Sequence, residues 1–85
     1  MDKQAQAALY IRNVLQGQGF DITYRTVIVE DNQQWLVFES GERQVAIDTD
    51  SGVWVKASGA DIWRCISQTC TTSSALIAAE TLIGH

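Results

Sequence analysis

The sequence predicts an α+β domain: an N-terminal helix, a four-stranded antiparallel β-meander, and one or two C-terminal helices. Three observations carry this reading. The chain opens on a segment dense in Ala, Leu, Gln and Lys, residues 20–56 are rich in β-branched and aromatic residues broken by short turn signals, and helical periodicity returns towards the end. The 85 residues contain no proline and are 46% hydrophobic, which suits one domain spanning residues 1–85. No internal repeat and no Gly/Ser-rich linker divides them.

The first helix is expected over residues 3–16. At 100° per residue, Ala7, Ala8, Ile11, Val14 and Leu15 fall on one stripe with Tyr10 at its edge, while Leu9 points the other way. Gly17 and Gly19 follow, and either can adopt the left-handed conformation that closes a helix.

Four strands fit the next stretch, at about residues 20–30, 34–40, 44–48 and 53–56. The breaks between them, Asp31-Asn32, Ser40-Gly41-Glu42-Arg43 and Thr49-Asp50-Ser51-Gly52, suit hairpins and are too short for crossover helices. In the first strand Phe20, Ile22 and Tyr24 have one parity and Val27 and Val29 the other, so a bulge near Arg25-Thr26 is expected to bring both sets to one face.

Beyond Lys56, the run Ser58-Gly59-Ala60-Asp61 has the form of a helix start, with Ile62, Cys65, Ile66 and Thr69 at helical spacing behind it. A helix over residues 59–69 is therefore preferred to a fifth strand at 62–66, which alternation also fits. Thr71 or Thr72 then caps a last helix over 73–83 that Gly84 ends. Ala75, Leu76, Ala79, Leu82 and Ile83 form its apolar side.

Charge and cysteine usage narrow the function. The net charge is −4 and the six basic residues stand singly, so no nucleic acid is expected as a partner. The longest uncharged stretch, 65–79, has 15 residues, short of the ~20 that span a bilayer, so no membrane role is expected. The N-terminal residues carry no apolar signal core, and Cys65 and Cys70 make no disulfide framework. A cytoplasmic protein with free thiols is the expectation.

No catalytic or metal constellation emerges. Asp48, Asp50 and Gly52 resemble the start of a calcium loop, but Gly59 stands where such a loop needs its twelfth-position carboxylate, so a hairpin turn is the better account. A metal-dependent nuclease core needs a carboxylate two residues before Lys56, and Trp54 stands there. Thiol catalysis needs a base held beside Cys65 or Cys70, and the one histidine is the last residue, His85. The carboxylate pairs Glu30-Asp31 and Glu39/Glu42 fall in or beside turns. No enzyme activity, metal or cofactor is expected.

The informative feature is the second face of the sheet. If Leu36, Phe38, Val45, Ile47, Val53 and Val55 face the core, alternation puts Trp35, Val37, Ala46 and Trp54 on the other side. That side is too apolar for water. It is expected to lie under the C-terminal helices or against a partner, with Trp63 in the core in either case. The preferred reading is a non-catalytic interaction module, an accessory, inhibitor or adaptor. It acts through Trp35, Val37 and Trp54 on a protein partner, or on a second copy in a homodimer. The alternative is a small-molecule-binding domain with an aromatic pocket between helix and sheet, lined by Tyr24, Phe38 and Trp54.

Overall fold

A computed structural model describes residues 2–84. His85, the only candidate base, lies outside them. Helix α1 (Lys3–Gly17) leads into five strands, β1 (Tyr24–Val29), β2 (Gln33–Ser40), β3 (Arg43–Ile47), β4 (Val53–Lys56) and β5 (Arg64–Ser67), and helix α2 (Thr72–Ile83) closes the fold. The strands form one antiparallel sheet in sequential order, β1-β2-β3-β4-β5. The α+β architecture of the sequence reading stands, with one strand more than expected.

Local chemistry sets the helix ends. The Asp2 carboxylate accepts the Ala5 N–H at 2.8 Å and so caps α1. At the other end the Phe20 N–H reaches Leu15 O and the Gly19 N–H reaches Gln16 O, each at 3.0 Å, with Gly19 at φ 88. This is the closed turn that only a residue without Cβ enters cheaply. Thr71 and Ser74 cap α2 reciprocally, and Gly84 ends it in the left-handed region.

Both helices lie on the same face of the sheet. Ala7, Ala8, Ile11 and Leu15 of α1 meet Ala75, Ala78, Ala79 and Leu82 of α2 over Leu36, Phe38, Val45, Ile47, Val53 and Val55. Small alanines from both helices let the two backbones approach each other and the sheet. Gln4 fixes α1 at the end of this layer: its buried amide donates to Gln34 O at 2.7 Å and Ile47 O at 3.1 Å, joining the helix to two strands.

Three expectations change. The helix expected over 59–69 does not form. Gly59 has φ 78, the Ala60 N–H closes a turn on Ala57 O, and Ser58 donates its hydroxyl to Glu42 instead of capping a helix. The chain thus reverses and adds β5 beside β4, which is the fifth-strand alternative. The bulge expected near Arg25-Thr26 is absent, because β1 pairs with β2 without interruption from Tyr24↔Phe38 to Val29↔Gln33. The irregularity lies instead at Val53/Trp54 against β5. Leu9 is half-buried rather than exposed.

Candidate functional site

With both helices on one face, the other face carries no covering element of this chain among the described residues. Cross-strand pairing assembles it in rows: Arg25, Val37, Ala46, Trp54 and Cys65 succeed one another across the sheet, with Val27 opposite Trp35 and Val29 opposite Gln33 in the next rows. The uninterrupted register of β1 thus puts Val27 and Val29 on this face, beside the tryptophans. Ile22 and Tyr24 pack against the core on the other side.

The side chains of this face border an open groove of about 660 Å³. Val37 and Ala46 form its floor and are only 7% and 1% exposed. Their cover comes from their neighbours: Trp35 stands two residues before Val37, and Trp54 lies directly across from Ala46. The Trp35 and Trp54 rings tilt together with centroids 5.9 Å apart at 58°. Trp63 lines the groove from the β5 side and is half-buried, so it is not the core residue the sequence suggested. Alternation from Arg64, which pairs with Val55 of the core face, sends Trp63 and Cys65 to the groove side.

Polar groups occupy the ends of the groove. At one end Glu39 Oε1 accepts from Arg25 at 3.3 Å and also from the Gln44 amide. At the other, Glu30, Asp31 and Gln33 form the rim. Inside, two of the three indole donors are committed or shielded from solvent. Trp54 Nε1 donates to Asp48 Oδ2 at 2.9 Å, and Trp35 Nε1 is buried with no hydrogen-bond partner.

The sequence therefore placed Trp35, Val37 and Trp54 correctly relative to one another, and Val27, Val29 and Trp63 join them. The alternative site does not assemble. Tyr24 and Phe38 stack edge to face at 5.5 Å on the helix-covered side, Phe38 is fully buried, and Trp54 is on the opposite face. The segment resembling a calcium loop is a turn organised by Asp48. Its Oδ1 accepts the N–H groups of Asp50 and Gly52 at 2.9 and 2.7 Å, and Ser51 takes φ 64.

Among the described residues no three His, Cys, Asp or Glu side chains gather as metal ligands, and no helix is long and apolar enough to cross a membrane. Cys65 is an exposed free thiol on the groove side, while Cys70 is half-buried against the core and its pKa is raised by burial. No protein-family model, curated protein or solved structure matches the chain.

Proposed function

We propose that the protein is a non-catalytic interaction module, an accessory, inhibitor or adaptor in role, whose tryptophan-walled groove receives an apolar segment of a partner protein. The observation that supports this most is the placement of both helices on one face, which leaves three tryptophans, Val27, Val29 and Val37 lining an open groove on the other. Tryptophan is a favoured anchor at protein interfaces because one side chain contributes a large apolar area at small entropic cost. A concave receptor fits a convex occupant, such as an amphipathic helix. Two copies meeting groove to groove would instead enclose a void, at a cost in dispersion contacts.

The volume of the groove also lies within the range of small-ligand sites, about 300–1,000 Å³. Such sites converge a few free polar groups on their ligand, whereas here Trp54 Nε1 is tied to Asp48, Trp35 Nε1 is buried, and Glu39 is bound by Arg25 and Gln44. An apolar protein segment makes fewer directional demands.

The test is affinity capture with the tagged protein, followed by titration of the purified partner. A protein held by the wild type and by Leu76→Ala, on the exposed side of α2, but bound at least tenfold more weakly by Trp54→Ala supports the reading; about 2 kcal/mol is expected for an anchor of this kind. Equal binding by Trp54→Ala and wild type would remove the groove from the interface.

A further inference from the structure

We infer that two copies of this chain associate edge to edge through β1, in antiparallel register about Val27, leaving the grooves open. β1 is one of the two edge strands of the sheet. Every second residue of an edge strand points its N–H and C=O outward, and exposed edges are usually blunted by a bulge, a lysine, a proline or shortness. β5 is blunted in two of these ways, since it has four residues and an irregular register against β4. β1 has six residues, Tyr-Arg-Thr-Val-Ile-Val, in uninterrupted register, without lysine or proline. Its one charged side chain, Arg25, is bound to Glu39.

The edge is apolar on both faces of the sheet. Ile28 on the helix side is 65% exposed and Val29 on the groove side 41%, although the strand is of the β-branched type that packs best when paired. A second copy with a two-fold axis through Val27 covers Ile28 and sets Val29 against the aliphatic stem of Arg25 of the second copy. Val27 meets its own equivalent and Thr26 meets Ile28 of the second copy, so the two Ile28 side chains become diagonal neighbours. Charge complementarity favours the same antiparallel direction. Arg25 lies at one end of β1 and Asp31 just beyond the other, both on the groove rim, so antiparallel pairing brings each Arg25 to the Asp31 end of the second copy. A parallel pairing would set like charges together. A strand-pair contact alone is smaller than the ~1,200 Å² at the lower bound of stable interfaces, which fits a weak, transient dimer. The product is one ten-stranded sheet whose two grooves lie side by side, offering a partner two sites.

Sedimentation equilibrium from low to high micromolar concentration tests the assignment, with thermal melts confirming that each variant folds. Ile28→Lys is expected to weaken the dimer about tenfold or more, as lysine does on natural edges, while Trp54→Ala leaves it unchanged. Val27→Cys in a Cys65→Ser/Cys70→Ser background is expected to form an interchain disulfide when added oxidised glutathione takes up the two electrons and two protons that the paired thiols lose. A wild type that stays monomeric throughout, or a dimer lost in Trp54→Ala and kept in Ile28→Lys, overturns the proposal. A monomeric wild type leaves partner binding in the groove untouched, whereas a dimer lost in Trp54→Ala would put the second copy in the groove; the capture experiment reads partner binding separately.

Discussion

Trp54 is held in the groove wall by Asp48: the indole Nε1 donates to Asp48 Oδ2 at 2.9 Å, while Oδ1 of the same carboxylate accepts the backbone N–H groups of Asp50 and Gly52. One side chain thus shapes the β3–β4 turn and orients the central tryptophan. Asp48→Ala leaves these donors unanswered and is expected to cost about 2 kcal/mol, in the range for hydrogen bonds to a charged group. Urea unfolding measures the loss. Asp48→Asn is expected to keep the bonds to the turn but not the indole contact if its amide nitrogen faces Nε1, and so to lose less stability while still altering tryptophan fluorescence.

The same carboxylate leaves no room for a side chain at Gly52. A Cβ built there falls 2.4 Å from Asp48 Oδ2 and 2.9 Å from its Cγ, so Gly52→Ala must displace the group that organises the turn. A loss of about 2–3 kcal/mol is expected. Gly17 is the control: nothing lies within 4 Å of its Cβ position, and it ends α1 with a φ that is not positive. Gly17→Ala is expected to raise stability by about 0.5 kcal/mol through lower unfolded-state entropy. Equal losses in paired thermal melts would contradict the turn geometry.

Local rules made much of the fold legible, and their failures fall where a local signal has two structural uses. The meander was readable because Ser40-Gly41-Glu42-Arg43 and Asp48–Gly52 admit tight hairpins, and the second face because Trp35 and Trp54 alternate with core residues. Ser58-Gly59-Ala60-Asp61 misled because serine followed by an acidic residue marks a turn as readily as a cap, and here Glu42, distant in sequence, takes the Ser58 hydroxyl. Trp63 reads as a core residue from sequence because nothing local shows that β5 continues the sheet past β4. The parity change in β1 implies a bulge only if all its apolar residues share one face. Val27 and Val29 serve the groove instead, and only the pairing with Trp35 and Gln33 shows it.

The start of α2 rests on a reciprocal pair: Thr71 Oγ1 accepts the Ser74 N–H at 3.1 Å, and Ser74 Oγ accepts the Thr71 N–H at 2.8 Å. Thr71→Ala removes one of the two and is expected to cost about 1 kcal/mol. Ser74 is also buried, so Ser74→Ala leaves the Thr71 N–H without its partner. Chemical denaturation of the two variants and their double mutant should show non-additivity, because either change alone breaks the box.

Cys70 gives the alkaline behaviour of the fold. Burial raises its pKa, an effect partly opposed by its hydrogen bond with Ser74. The folded state therefore holds the thiol proton more tightly than the unfolded chain does, where the pKa is about 8.5. Folding thus gains a contribution that is full below the unfolded pKa and disappears as the pH rises through the folded one. Stability is expected to decline above about pH 8.5, and Cys70→Ala should flatten that decline even if it lowers stability at neutral pH by removing a packed side chain. Thiol labelling gives an independent reading. The exposed Cys65 should react with a thiol reagent at once, and Cys70 only slowly, at a rate that climbs with pH and with added urea. Two equally fast thiols at neutral pH would place Cys70 outside the core margin, and an unchanged alkaline slope in Cys70→Ala would assign the decline to another group.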